Sequence, residues 1–231
     1  GDTRTIQITA KKPGSLIVNA MKRMSAKKWL LATNQGLFQL HEENHKVQAF
    51  LPELDQMYGM VSISDVIIES ENSYFLATET QGLLTVSFQN GNVHIYSNNY
   101  DALQQNSLLN NSINVLFKDK SGVFWVGTNR GLGSFDPINI GFIGIGPAAD
   151  QSNGIQASNV WSFAEDPNHK YIFIGTDNAV SQYDQKTGKF RHFFKNRKGY
   201  NEREILETSI LSMHVINENE LIVGTTDGLY K

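Results

Sequence analysis

The chain alternates short hydrophobic stretches with polar turns, and one such pattern recurs five times along its length. Each copy runs through apolar residues, a small residue, Thr, two or three polar residues, usually Gly, and then Leu or Val. The repeat threonines are Thr33, Thr78, Thr128, Thr176 and Thr225, spaced 45, 50, 48 and 49 residues apart. A period of roughly 40–50 residues is typical of four-stranded β-propeller blades. The pattern therefore predicts an all-β fold, a β-propeller of about five four-stranded blades.

Each copy of the pattern predicts a hairpin. The apolar run indicates a strand buried on both faces, because blades stack on both sides. The residue before Thr is always Ala or Gly, which indicates a close neighbour that excludes a larger side chain. The Gly after the polar residues supplies the positive φ of the turn. In the fourth copy Ala179 replaces this Gly, and we expect Asn178 to take the left-handed conformation instead.

Alternating stretches before and after each hairpin predict an inner strand and an outer edge strand. The predicted blades cover 15–52, 60–97, 112–143, 158–195 and 208–231, within one propeller domain over 1–231. The fifth repeat lacks an outer strand, and we expect residues 3–9 to complete it and close the ring, which removes exposed sheet edges. An open piece of a larger propeller remains the alternative.

Composition narrows the function classes. The chain has no cysteine, so disulfides, Cys-ligated metals and Cys nucleophiles are excluded. The formal net charge of −3 gives no electrostatic case for nucleic acid or an anionic membrane surface. No apolar run approaches the roughly 18 residues that a membrane span needs. We expect no nucleic-acid partner, no membrane contact by this chain itself and no cofactor.

The third repeat carries a recognisable motif. Residues 114–132, closing with Phe135-Asp136, combine a hydrophobic strand, Asp119, Gly122, a strand with Trp125, and a final Gly-Leu. This arrangement resembles the two-component regulator propeller repeat. The fourth repeat keeps part of the motif, the first keeps its Trp, Thr and Gly-Leu, and the second and fifth are weaker.

The resemblance implies a function as well as a fold. Repeats of this family form the extracytoplasmic sensor of membrane-bound hybrid two-component kinases, which often recognise oligosaccharides. It therefore implies a periplasmic, ligand-sensing propeller. The chain itself contains no kinase or receiver segment, and family sensors usually carry more blades than five.

Candidate catalytic and metal-binding residues have structural interpretations. His41 and His45 flank a turn between strands, and 141–147 is glycine-rich without a dinucleotide-binding spacing, which favours a loop between blades. Asp119 and Asp166 occupy equivalent turn positions, which favours a structural role over glycosidase carboxylates. We expect no catalytic residue and no metal site.

The predicted binding surface is the end of the propeller that carries the hairpin turns. Their polar residues offer hydrogen bonds to hydroxyl groups, and Trp161 is either core or a stacking surface facing the channel. The candidate ligand-binding residues are Asn34, Gln35, Glu79, Asn129, Arg130, Trp161, Asp177, Asn178 and Asp227. Because Asn, Asp and Gly also simply form turns, Arg130 is the most informative, since a hairpin turn does not need an arginine.

Three functions follow from these observations. The leading one is a ligand-sensing module of a bacterial two-component system that binds an oligosaccharide or other small ligand. A protein-interaction scaffold is the second. A glycoside-active enzyme of propeller fold is the third. The sequence also leaves open whether the chain forms a homodimer.

Overall fold

The structure, a computed structural model, describes residues 6, 8–137, 139–148, 150, 152–193, 208–217 and 220–231. Nineteen strands in these residues form five antiparallel sheets, and one short helix interrupts them. Each sheet is one blade, with its strands in chain order from inner to outer. The predicted all-β propeller fold of five blades is confirmed.

The chain divides into two compact units, 1–99 with 111–113 and 100–110 with 114–231. Unit 1 holds blades 1 and 2. Blade 1 comprises β1 (Val18–Ser25), β2 (Lys28–Thr33), β3 (Gly36–His41) and β4 (Lys46–Phe50). Blade 2 comprises β5 (Ile63–Ser70), β6 (Ser73–Thr78), β7 (Leu83–Gln89) and β8 (Asn92–Asn98).

Unit 2 holds blades 4 and 5 and nearly all of blade 3. Blade 3 comprises β9 (Ile113–Lys118), β10 (Phe124–Thr128), β11 (Gly131–Asp136) and β12 (Asn139–Ile145). Blade 4 comprises β13 (Val160–Glu165), β14 (Tyr171–Thr176), β15 (Val180–Asp184) and β16 (Lys189–Phe193). Blade 5 comprises β17 (Ile210–Asn217), β18 (Glu220–Thr225) and β19 (Leu229–Tyr230).

The fifth blade has three strands among the described residues. The segment expected to complete it, 3–9, lies mostly outside them, because 3–5 and 7 are not described. Ile6, Ile8 and Thr9 are described and belong to no strand. Completion of the blade by this segment stays a prediction.

Unit 1 is held together by the apolar sides of blades 1 and 2. Leu30 and Leu37 from blade 1 share one buried cluster with Val66 and Leu76 from blade 2. In unit 2, Trp125 and Leu132 of blade 3 pack with Val160, Phe163 and other residues of blade 4. Within each unit, neighbouring blades therefore share apolar side chains, as the two-sided burial of their strands predicts.

A short helix between blades 1 and 2 was not predicted. Helix α1 (Pro52–Tyr58) begins with Pro, whose fixed φ suits the first helical position. Its Leu54 is 1% exposed and lies in the cluster between the two blades. The helix therefore adds an apolar side chain to the core from the link between blades.

Two local predictions are wrong. Asn178 is absent from the described non-glycine residues with positive φ, and the fourth turn closes when the Thr176 N–H donates to the Ala179 carbonyl at 3.0 Å. Residues 141–145, expected in a loop, belong to β12, where Gly144 pairs with Gly133 of β11. A glycine-rich sequence is tolerated here because Leu109 packs where a Gly144 side chain would lie.

Candidate ligand-binding face

The turns between the second and third strands of the blades share one closing hydrogen bond. In each turn the hydroxyl of the repeat threonine donates to a main-chain carbonyl across the turn. The Oγ1···O distances are 2.8 Å (Thr33 to Gly36), 2.7 Å (Thr78 to Gly82), 2.8 Å (Thr128 to Gly131), 3.0 Å (Thr176 to Ala179) and 3.1 Å (Thr225 to Gly228). We call the blade ends that carry these turns the turn face of each unit.

The same threonine oxygen usually accepts an amide from the turn. It accepts from the N–H of Arg130 at 3.1 Å in blade 3 and from that of Asp227 at 3.1 Å in blade 5. Both side chains are exposed. The main chain of the turn is thus held by the threonine, while the side chains at its tip project into solvent.

In unit 1 the predicted ligand-binding residues of blade 1 serve the fold instead. The Asn34 amide donates to the Ser15 carbonyl at 2.9 Å and accepts the Ile17 N–H at 2.9 Å. Gln35 is 4% exposed, and its Oε1 accepts the Lys12 N–H at 3.0 Å. Because both side chains hold the segment that precedes β1, we leave them out of the candidate site.

Glu79, at the turn of blade 2, is exposed, and its N–H donates to the Ser62 carbonyl at 3.2 Å. It lies on the turn face of unit 1. The contacts of this turn do not join Glu79 to another predicted ligand-binding residue, so the candidate site is built from unit 2.

In unit 2 two predicted residues meet directly. The indole N–H of Trp161 donates to Asp177 Oδ1 at 2.6 Å, and the hydroxyl of Ser209 approaches the same oxygen at 3.4 Å. Trp161 and Asp177 are both half-buried. The hydrogen bond fixes the indole ring at the turn face, with part of its surface in contact with solvent.

Trp161 lies at a register change in the inner strand of blade 4. The pairing of β13 with β14 shifts between Val160 and Ser162, which is the mark of a β-bulge at Trp161. The inner strands β1 and β5 shift at the equivalent positions, Asn19 and Ser64. Bulges commonly re-aim a side chain near functional sites.

In other blades the side chain at this second position ties one blade to the next. Asn19 donates to the Ile63 carbonyl at 2.8 Å, and Asn114 donates to the Val160 carbonyl at 3.0 Å. In blade 4 the neighbouring residue, Ser162, makes this bond instead, at 2.7 Å to the Ile210 carbonyl. The hydrogen bond to the next blade is thus made by Ser162, and the indole N–H of Trp161 donates to Asp177.

The remaining predicted residues of unit 2 lie in the equivalent turns of blades 3, 4 and 5. Asn178 follows Asp177 in the turn and is exposed, and Asn129 and Arg130 form the exposed turn of blade 3. In blade 5, Asp227 is exposed beside Thr226, whose hydroxyl lies 2.6 Å from that of Thr208. The turn face of unit 2 thus combines an indole ring with amide, carboxylate, hydroxyl and guanidinium groups.

Sequence reasoning missed Ser209 as part of this group. Ser209 immediately precedes β17, and no motif in the sequence singles it out. The signal for Trp161 is present but subtle: it stands where the aligned repeats have Asn19, Ser64 and Asn114. That comparison could have identified Trp161 as the residue that differs from the polar residues at this position of the other repeats.

The carboxylates considered for catalysis support turns. Asp119 Oδ1 accepts the Ser121 N–H at 2.9 Å and the Val123 N–H at 3.0 Å, while its Oδ2 accepts the Trp125 indole N–H at 2.8 Å. Asp166 Oδ1 likewise accepts the Lys170 N–H at 2.7 Å. The predicted structural role of both aspartates is confirmed.

Glu165, the residue before Asp166, joins blades 3 and 4. Its carboxylate accepts the Lys120 N–H at 3.1 Å and lies 3.1 Å from His169 Nδ1. His45, in the turn before β4, has a positive φ of 58°, as its interpretation as a turn residue predicts. Within the described part of the chain, His, Asp and Glu form no group of three or more suited to a metal ion.

No helix among the described residues is long and apolar enough to cross a membrane.

Comparisons with known proteins agree with the motif in the third repeat. Residues 107–130, which include β9, β10 and Arg130, match the family described as two component regulator propeller. Curated proteins give no significant match.

Solved structures share the fold. The extracellular domain of the hybrid two-component system BT3049 from B. thetaiotaomicron superposes with a TM-score of 0.68 at 15% identity, over 92% of this chain and 28% of that one. The corresponding domain of BT4673 from the same organism gives 0.55 at 20% identity, over 96% and 32%. The WD40 β-propeller domain of Doa1 gives 0.58 at 17% identity, over 92% and 62%. The chain therefore spans less than a third of each of these two bacterial extracellular domains.

Proposed function

We propose that this chain, which carries a two-component regulator propeller repeat at 107–130, is a ligand-sensing module of a bacterial two-component signalling system. Its ligand is an oligosaccharide or another small polar molecule, bound at the turn face of unit 2. The bacterial structures that resemble it are extracellular domains, which supports a periplasmic location. Binding, without catalysis, is the activity we assign to this chain.

The observation that carries the proposal is the pair formed by Trp161 and Asp177. An indole ring offers a flat apolar surface on which the C–H face of a sugar ring can stack. The 2.6 Å bond to Asp177 holds the ring in one orientation, so little conformational entropy is lost when a ligand binds. An aromatic surface beside a few polar groups is the usual composition of a small-molecule site.

The polar residues of the turn face of unit 2 suit a ligand rich in hydroxyl groups. A carboxylate has about four acceptor positions, so Asp177 retains capacity for a ligand hydroxyl beyond its contacts with Trp161 and Ser209. The amide of Asn178 can both donate and accept, and the guanidinium of Arg130 donates only. This mixed set of donors and acceptors suits a neutral ligand rich in hydroxyl groups.

Binding experiments on the purified chain test the proposal. A glycan array followed by calorimetry should identify a saturable oligosaccharide ligand. Trp161→Ala should weaken its affinity by roughly tenfold or more, equivalent to about 1.4 kcal/mol, because the stacking surface is removed. Trp161→Phe should retain part of the affinity, and Arg130→Ala and Asp177→Ala should each reduce it.

The matched control is Tyr96→Ala, which removes an aromatic ring that is 63% exposed on blade 2. Its affinity should equal that of the unchanged protein. If neither Trp161→Ala nor Asp177→Ala changed the affinity for the ligand, the binding site would lie elsewhere. Failure to bind any glycan, together with capture of one defined protein, would favour the scaffold function instead.

A further inference from the structure

The chain contains two Asn-Gly sequences, Asn90-Gly91 in blade 2 and Asn153-Gly154 in the link between blades 3 and 4. In an Asn-Gly sequence the main-chain nitrogen of the glycine can attack the asparagine side chain, because no Cβ on the glycine hinders its approach. The two sequences lie in different surroundings. The structure therefore distinguishes a reactive asparagine from a protected one.

Asn90 and Gly91 form the two-residue turn between β7 and β8. Their φ angles are 51° and 79°, and positive φ at both positions defines the type I′ turn of a tight hairpin. Both residues are exposed, and a Cβ added to Gly91 would meet no atom within 4 Å beyond its chain neighbours. The Asn90 side chain makes no hydrogen bond within the described part of the chain. Solvent base and water thus reach both reacting groups.

The geometry needed for attack lies one peptide rotation away from this turn. The Gly91 nitrogen must turn toward Asn90 Cγ, which a ψ of about −120° at Asn90 provides, the value at the first central position of a type II′ turn. Rotation of the peptide unit between the two residues converts type I′ into type II′, and both types suit a hairpin. Gly91 tolerates the accompanying change in φ because it has no Cβ.

Asn153 is held in place by contrast. Its Nδ2 donates to Asp150 Oδ2 at 2.6 Å, and its Oδ1 accepts from Lys189 Nζ at 2.7 Å. Gly154 is buried, and a Cβ added there would lie 2.4 Å from the Gly146 carbonyl oxygen. The side-chain amide is therefore fixed at both of its polar atoms, and the packing around Gly154 opposes rotation of the peptide unit.

We propose that Asn90 is a site of spontaneous deamidation and isomerisation in the folded protein, whereas Asn153 is protected. The Gly91 nitrogen, after it loses its proton to solvent base, forms a bond to Asn90 Cγ, and the Cγ–Nδ2 bond breaks with release of ammonia. Water then opens the cyclic imide at either of its carbonyl groups. Opening at Cγ gives aspartate in the normal main chain, and opening at the main-chain carbonyl gives isoaspartate, linked through its side chain.

The isoaspartate form changes the hairpin. It adds a methylene group to the main chain at a turn whose two residues set the pairing of Gln89 with Asn92. The next pair, Phe88 and Val93, packs against the buried cluster of unit 1. We therefore expect modification to loosen the outer strand of blade 2, starting from this turn. The turn that Thr78 closes, at the other end of β7, should keep its hydrogen bond.

Peptide mapping by mass spectrometry tests the proposal on the purified chain, incubated at mildly alkaline pH where solvent base is more abundant. The replacement of NH₂ by OH is measured at positions 90 and 153, and a carboxyl methyltransferase specific for isoaspartate identifies the isomerised product. Position 90 should react about tenfold faster than position 153, equivalent to a difference in barrier of about 1.4 kcal/mol. In urea, where both sequences lose their structure, the two rates should become similar.

Asn90→Gly is the matched control, because Gly-Gly also forms a type I′ turn and has no side-chain amide. Hydrogen exchange of the β8 amides should be faster in the isoaspartate fraction of the native chain and unchanged in the incubated Asn90→Gly variant. A native-state rate at position 90 no higher than that at position 153 would overturn the proposal. So would a native-state rate more than about a hundredfold below the rate in urea, since the folded turn would then be protective. Unchanged exchange in the isoaspartate fraction would overturn the loosening of blade 2.

Discussion

The indole nitrogen of Trp125 lies 2.8 Å from Asp119 Oδ2, and this buried bond joins two parts of the repeat motif. The aspartate precedes the turn and the tryptophan follows it, so one carboxylate closes the turn and fixes the side chain that fills the core between blades 3 and 4. The spacing of Asp, Gly and Trp in the motif thus has a single physical origin. The carboxylate must reach both the amides of the turn and the indole.

Asp119→Ala should destabilise the protein substantially. The change removes hydrogen bonds to buried and half-buried donors and leaves the Trp125 indole N–H without its acceptor, which should cost about 2–4 kcal/mol. Urea denaturation measures the loss. Lys120→Ala is the control, since only the main-chain N–H of Lys120 contributes its bond to Glu165. Equal stabilities of the two variants would contradict this role.

Thr128→Val should destabilise its turn more than Thr225→Val does. Both changes remove a hydroxyl that closes a turn, but Thr128 is 0% exposed whereas the turn of Thr225 is open to solvent. A buried carbonyl that loses its donor costs about 1–3 kcal/mol, and water can replace the donor at an exposed turn. Thermal unfolding of the two variants gives the comparison. A larger loss for Thr225→Val would be inconsistent with the turn-closing role.

Gly175→Ala should destabilise more than Gly224→Ala. The new methyl group in blade 4 would meet both Ser162 Oγ at 2.3 Å and Ile210 Cγ2 at 2.7 Å, whereas in blade 5 its close contact is with Ser212 Oγ alone. Overpacking of this kind costs about 1–3 kcal/mol, and a lone serine side chain can rotate away. Chemical denaturation of both variants at low protein concentration tests the difference, and similar losses would argue against it.

Asp184 should contribute a pH-dependent stability. The hydrogen bond from the N–H of Thr187, followed by other hydrogen bonds in the turn between β15 and β16, lowers the pKa of the Asp184 carboxyl below its ordinary value. Because the folded pKa is the lower one, the stabilisation is present at neutral pH and is lost as pH falls through about 4 and below. Unfolding of the native protein and of Asp184→Asn, followed from pH 7 to about 3, should therefore converge at low pH. Curves that remain parallel would rule out this contribution.

The repeated features of the fold were predictable because a residue type that recurs at the same position of several repeats indicates a shared structural role. The small residue before Thr128 is explained by the approach of Val160, and the threonine itself by the turn it closes. Helix α1 was missed because it lies in the link between blades, where the sequence follows no repeat. The prediction of a left-handed conformation at Asn178 was wrong because a main-chain hydrogen bond between Thr176 and Ala179 closes the turn without that conformation.

The candidate site was less predictable than the fold. Asn34 and Asp177 look alike as turn residues, yet one holds the segment before β1 and the other orients Trp161. Which partner each side chain finds depends on chain that lies far away in sequence, such as Ile17 and Ser209. Composition and spacing carry no information on those partners.

In each turn the repeat threonine stabilises the hairpin, whereas the exposed side chains at the tip face solvent. Its bond spans the residues on either side of the tip, so the exposed side chains of Arg130 and Asp227 are not needed to close their turns. Arg130 and Asp227 can therefore change identity while the hairpin beneath them persists. Duplicated blades of this design can diversify what they recognise at little thermodynamic cost, and blade 1 shows the opposite outcome, since Gln35 is committed to its own chain.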